Sequence, residues 1–138
     1  GIQPRGIFLS KRIVAKLNSK LAHATVKTGC LDISFHRDDL RIRKNPIIPM
    51  SIDIDFNIEE KHVILVDDVL NTGKTLIHGV KFLLNSTLTK LITVVLIDRN
   101  HKIFPIKVDI KGTSISTTID QRIDVIIEKG NLKAVISE

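Results

Sequence analysis

Tryptophan and tyrosine are absent from these 138 residues, and aromatic side chains make up only 4% of the chain. A stacking platform for single-stranded nucleic acid needs aromatics interleaved with basic residues, and no such interleaving occurs here. The interior must instead be filled by Ile, Val and Leu, as is usual for parallel α/β sheets. Cysteine occurs once, at Cys30, so no internal disulfide can form, which is consistent with a reducing cytosol. No motif surrounds Cys30, and it reads as a small core or strand-edge residue rather than a nucleophile. No apolar run approaches the roughly 18 residues of a membrane span. No signal-peptide pattern opens the chain, and the expected location is cytoplasmic. His23, His62 and His78 show no metal-ligand spacing.

Charge is present but unevenly placed. The net charge is +6. Residues 1–44 carry ten Lys/Arg against three Asp/Glu, and residues 45–138 carry eleven against twelve. A basic N-terminal third suits a polyanionic ligand or nucleic acid. A solvated helix face accounts equally well for Lys11, Arg12, Lys16 and Lys20.

Hydrophobic spacing gives the organisation. Residues 1–6 read as a loop with glycines at both ends. Residues 7–21 predict a helix burying Leu9, Ile13, Leu17 and Leu21. A short strand follows at 31–36, and then a long, polar, mobile loop over 37–60. A strand at 62–69 feeds a helix at 74–85 that buries Leu76, Val80, Leu83 and Leu84. Residues 91–97 form a second continuously apolar strand. Shorter strands are expected at 106–110 and 123–127, and 131–137 is expected to close the sheet. The order predicts one α/β domain over 1–138, built on a doubly wound, mostly parallel sheet flanked by helices. Such a sheet wants a strand before its first helix, so that strand is expected to be missing from this chain.

The richest stretch is 63–75, Val-Ile-Leu-Val-Asp-Asp-Val-Leu-Asn-Thr-Gly-Lys-Thr. Four apolar residues predict a buried strand. Asp67 and Asp68 follow, and a small polar loop opens a helix. Gly73-Lys74-Thr75 invites comparison with a P-loop, but the first glycine of that pattern would fall at Asp68, and the reading fails there. Backbone amides over 72–75, the Thr72 and Thr75 hydroxyls and the Lys74 charge suit a monophosphate. The two acids suit the hydroxyls of a ribose. A buried strand with two incidental acids is the plain alternative, yet adjacent carboxylates at such a place are costly without a partner.

These thirteen positions resemble the phosphoribosyl pyrophosphate (PRPP) signature of type I phosphoribosyltransferases. The resemblance implies a PRPP and phosphate site made by Asp67, Asp68, Val69, Leu70, Asn71, Thr72, Gly73, Lys74 and Thr75. Residues 1–6, Gly-Ile-Gln-Pro-Arg-Gly, are similar to the pyrophosphate loop of one branch, the bacterial pyr operon attenuation proteins that double as uracil phosphoribosyltransferases. Gln3, Pro4, Arg5 and Gly6 would then meet the pyrophosphate. Residues 31–40, Leu-Asp-Ile-Ser-Phe-His-Arg-Asp-Asp-Leu, resemble the same branch, with His36 where it has Tyr. Arg37, Arg41 and Arg43 are candidates to reach the departing pyrophosphate, Arg37 foremost. Residues 97–106 resemble the branch's Val-Asp-Arg-Gly-His-Arg-Glu-Leu-Pro-Ile. Asp98 and Arg99 are the candidates for the base side, and His101 reads as a structural hydrogen-bonder. Residues 112–118 depart from the segment that the branch uses toward RNA.

The resemblance implies transfer of ribose 5-phosphate from PRPP to a pyrimidine, uracil giving UMP, with Asp67, Asp68 and Arg37 as the catalytic set. It implies Mg²⁺ near Asp67 and Asp68, held through ligand and water, and a dimer or tetramer. A pyr operon regulatory role is compatible with it. The alternatives are an RNA-binding attenuator that senses nucleotides with little catalysis, and a phosphoribosyltransferase for another base.

Overall fold

In the computed structural model, residues 1–33 and 51–138 are described, and Arg37, Arg41, Arg43 and His36 lie outside them. The apolar run at 63–66 and its continuation form β3 (His62–Leu70), with Leu65 to Asp68 buried without a break. Burial on both faces is what a central parallel strand requires. β4 (Lys90–Asp98) lies parallel to it, with Asp67 opposite Val95 and Leu70 opposite Asp98. β5 (Ile110–Ser114) adds in parallel on the far edge of β4. The sheet order is therefore β3-β4-β5.

On the other side of β3, Gly1–Gln3 takes a strand's place. Ile2 N–H donates to the Val66 carbonyl at 2.8 Å, and Gln3 N–H donates to Leu31 at 3.0 Å. Ile2 bridges in parallel to Leu31 of β1 (Cys30–Asp32). β1 pairs antiparallel with β2 (Ser51–Asp53), a short strand inside the stretch expected to be loop. Three residues are too few to announce themselves by alternation.

α1 (Arg5–Asn18) follows directly and packs on β3. It stops three residues before the predicted end because the Asn18 amide both donates to and accepts from the Val26 backbone, at 3.0 and 2.8 Å. That local capture competes with further helix. Leu9, Ile13 and Leu17 are only half buried, and Leu21 is exposed. A cavity of about 670 Å³ lies beside Ile13 and Leu17. α2 (Lys74–Leu83) buries Leu76, Gly79 and Leu83, while Leu84 sits past its end, exposed.

Two strand expectations need correction. The strand expected at 106–110 begins at Ile110 instead. Asp109 is captured by Thr93, whose amide and hydroxyl donate to its carboxylate at 2.8 and 2.9 Å. The Asp109 amide donates back to the Thr93 carbonyl at 3.1 Å, and pairing starts only after this anchor. The segment expected to close the sheet, β7 (Asn131–Ser137), pairs antiparallel with β6 (Arg122–Glu128) alone, as a separate hairpin. Lys129 and Gly130 both have positive φ, the requirement of a tight hairpin turn. Ile123 and Val125 of β6 seat the hairpin against Ile97, Val69 and Leu96. The main core lies between the sheet and α2, around Ile2, Leu65, Leu76, Leu83 and Val95.

The Thr93 hydrogen bonds hold the Asp109 carboxyl below its ordinary pKa. Its contribution to stability is therefore complete above the unfolded value of about 3.9, and fades as pH falls through the lower folded value. Thermal melts of Asp109→Asn should fall below the parent at pH 7, with the gap closing toward pH 3. A gap of the same size at both pH values would contradict this linkage.

Candidate functional site

The carboxyl ends of β3 and β4 open into a cavity of about 700 Å³. Ligand sites in open α/β sheets characteristically lie at these strand ends. Asp67 and Asp68 form its floor, each only 5% exposed. They are adjacent near the carboxyl end of the strand, and both line the cavity. The Asp67 carboxylate accepts the Asp68 amide at 2.9 Å. Asp68 Oδ2 lies 3.0 Å from Arg5 Nε. The two atoms are close enough for strong attraction but are not aligned for a hydrogen bond, and both are buried without a hydrogen-bond partner among the described residues.

Arg5 reaches this point because α1 starts at the rim. Gly6 makes the approach possible: a Cβ there would sit 2.6 Å from the Val66 carbonyl oxygen. Arg5 also extends to β6, with Nη1 3.4 Å from Asp124 Oδ1 and donating to the Val125 carbonyl at 3.3 Å. Of the other residues expected around a pyrophosphate, Gln3 turns its amide to Cys30 Sγ at 2.8 Å, and Pro4 is exposed.

The end of β3 and the turn into α2 line the cavity from Val69 to Gly73 and at Thr75, whereas Lys74 is not among the lining residues. Gly73 caps α2 with φ of 91°, a left-handed conformation. The Lys74 amide donates to Thr72 Oγ1 at 3.3 Å, drawing the turn tight. The loop after β4 then docks on this turn. Ile103 and Phe104 amides donate to the Thr72 carbonyl at 3.0 and 3.1 Å, and the Arg99 amide donates to Leu70 at 3.0 Å.

Asp98 and Arg99, paired as base-side candidates, part company. Arg99 lines the cavity, and its guanidinium is spent on protein partners. It donates to Asn71 Oδ1 at 3.1 Å, to Thr117 Oγ1 at 3.0 Å and to the Gln121 carbonyl. Asp98 does not line the cavity; it pairs with Lys111 at 2.9 Å. Burial alone would push its carboxyl up, but the Asn100 amide and the Lys111 ammonium outweigh burial and hold it below the usual range. The His101 ring nitrogen meets the Thr117 carbonyl. The divergent 112–118 segment is thus tied to the cavity by Arg99 and His101.

Arg122 and Asp124 of β6 also line the cavity, and the sequence offered no motif to single them out. The one local signal is alternation: Ile123 and Val125 are buried, which turns their charged neighbours to the other face. Among the described residues, four cationic side chains (Arg5, Arg99, Lys102, Arg122) and three carboxylates (Asp67, Asp68, Asp124) surround the space.

Gly73→Ala tests the turn. The new Cβ would meet Ile106 Cγ2 at 2.6 Å, and the left-handed backbone adds roughly 1–2 kcal/mol of strain. The variant should melt lower than the parent. Unchanged melting would show that the turn tolerates a side chain.

Comparison with known proteins shows the family. The phosphoribosyl transferase domain model matches residues 1–127. The bifunctional protein PyrR of Ligilactobacillus salivarius is 38% identical over 133 residues, covering 94% of this chain and 74% of that protein. The PyrR of Staphylococcus haemolyticus is 39% identical over 140 residues, covering all of this chain and 79% of its own. Among solved structures, the hypoxanthine phosphoribosyltransferase of Trypanosoma cruzi superposes with a TM-score of 0.66 at 20% identity, over 83% of this chain. That of Staphylococcus aureus gives 0.65 at 21% identity, over 84% of this chain. The chain spans 59% and 60% of the length of those two solved chains, and at such identity they speak for the fold alone. With the domain model matched over nearly its whole length and relatives this close, the chain belongs to the phosphoribosyltransferase family, in the branch of the bifunctional PyrR proteins.

Proposed function

We propose that this phosphoribosyltransferase transfers ribose 5-phosphate from PRPP to a ring nitrogen of uracil, giving UMP and pyrophosphate. One observation carries the reading. Asp68 Oδ2 is a buried acceptor and Arg5 Nε a buried donor, both lacking a hydrogen bond among the described residues, side by side in one cavity. Unmet buried polar groups in a native fold call for an explanation. A ligand offering a hydroxyl donor beside anionic oxygens satisfies both, and a ribose bearing pyrophosphate is such a ligand.

In this reading the turn over 71–75 at the α2 N-terminus holds the 5-phosphate. Asp67 and Asp68 accept the ribose hydroxyls and fix the ring. Arg5 takes the pyrophosphate, with Arg37 reaching it from the stretch outside the described residues. Arg99 keeps the 117–121 segment over the base. The bond from the ribose carbon to pyrophosphate breaks, the bond to the base nitrogen forms, and that nitrogen's proton leaves. The protein's part is positioning and charge compensation.

Mg²⁺ fits the donor chemistry. Two buried carboxylates offer the hard oxygens it takes, and no group of three metal-binding side chains stands together among the described residues. Asp67 and Asp68 would hold the ion indirectly, through ligand oxygens and water. Bound Mg²⁺ supplies charge neutralisation of the leaving group. In this reading the chain is a cytoplasmic homo-oligomer. No described helix is long and apolar enough to cross a membrane.

A PRPP-dependent assay with uracil tests the reading. Asp67→Asn combined with Asp68→Asn should lower UMP formation at least a hundredfold, about 3 kcal/mol of transition-state stabilisation, while circular dichroism stays native. Full activity in the double variant overturns the assignment.

A second reading, regulation through RNA, has its own observation. Lys11, Arg12, Lys16 and Lys20 all face solvent on α1 or just past its end. If this face meets RNA, binding of pyr leader RNA should depend on UMP and fall steeply with salt, with Lys11→Glu and Lys16→Glu together flattening the slope. No binding at low salt removes the regulatory role.

A further inference from the structure

Asp124 lies on β6, outside every motif, and faces the cavity across from α1. Its carboxylate is half exposed and lies 3.4 Å from Arg5 Nη1. The same Nη1 donates to the Val125 carbonyl, and Nε faces Asp68 on β3. Nη2 has no partner among the described residues. A guanidinium held only at Nε swings about its last rotatable bonds. One drawn to Asp68 on β3 and tied at Nη1 to β6 keeps its plane, and presents its Nε and Nη2 donors to whatever enters. We propose that Asp124 is a positioning residue for Arg5, and through it sets the affinity for the diphosphate group of the donor. This rests on the PRPP reading of the cavity, in which Arg5 meets that group.

The charge of Asp124 would by itself repel a diphosphate. A field effect and a positioning effect therefore predict opposite signs: neutralising Asp124 improves diphosphate binding in the first case and weakens it in the second. The half-exposed setting keeps the effect to a few-fold, the size of an ion pair open to water.

The experiment is steady-state kinetics on the full chain with PRPP, uracil and Mg²⁺, alongside calorimetric binding of Mg²⁺-pyrophosphate. Asp124→Asn should raise KM for PRPP and Kd for pyrophosphate together, by about three- to fivefold. The kcat, the KM for uracil and the melting temperature should stay at parental values, and Asp124→Glu should recover part of the loss. In an Arg5→Lys background, which lacks the planar fork, Asp124→Asn should add nothing further. Tighter pyrophosphate binding, an unchanged KM, a change confined to uracil, or an undiminished effect beside Arg5→Lys overturns the proposal. Parental turnover with an unresponsive Asp124→Asn defeats this inference alone. A parent that binds neither PRPP nor pyrophosphate defeats the functional reading as well.

Discussion

Two carboxylates buried side by side at the end of β3 are the constraint around which the site is organised. Removing a carboxylate from water costs several kcal/mol unless partners compensate it. Asp67 takes the amide of its neighbour, and Asp68 takes the charge of Arg5. That second pairing fixes where α1 must begin. The helix has to start at the rim, and Gly6 has to lie against the Val66 carbonyl, for the guanidinium to arrive. Through Asp124 and Val125 the same side chain reaches the hairpin. Compensation of one buried charge thus joins three separate parts of the chain around a single cavity.

Arg99 supplies the second constraint, of another kind. It is 6% exposed and answers its burial with acceptors drawn from the turn after β3 and from the 117–121 segment. Its own backbone amide is bound to Leu70, so side chain and main chain pull the same loops together. A rigid reaction pocket needs its walls fixed relative to one another more than it needs extra groups pointing inward. Arg99 acts on the walls.

The sequence displayed the cavity-lining stretch after β3 well, because a buried strand, two acids and a glycine turn are contiguous and each has a local physical signature. Asp67, Asp68, Asn71, Thr72 and Gly73 line one cavity as a block. The parallel β3-β4 pairing was legible for the same reason, from two continuous apolar runs. Edge elements were not. β5 is exposed throughout and reads Ile-Lys-Gly-Thr-Ser, with neither alternation nor an apolar run. Its start depends on Thr93 meeting Asp109, sixteen positions apart. β2 is three residues long and takes its identity from β1. Asp124 enters the site only because the hairpin packs where it does, which no spacing along the chain encodes. Asp98 and Arg99 are neighbours in sequence, yet only Arg99 reaches the cavity, and the side chain of Asp98 is claimed by Lys111.

The pairing of Arg5 with Asp68 is also suited to being exchanged. At 3.0 Å without hydrogen-bond alignment, it keeps most of the charge compensation and little of the directional energy. In the proposed reading, a ligand hydroxyl arriving at Asp68 Oδ2 and a phosphate oxygen arriving at Arg5 Nε would each supply an aligned bond that these two atoms lack. Neither side chain would first have to give up a good one. An aligned, bidentate pair in the same place would stabilise the fold more and resist the ligand by a similar amount. The misalignment is therefore consistent with a site whose charges are balanced for folding while their hydrogen-bonding capacity is kept for binding.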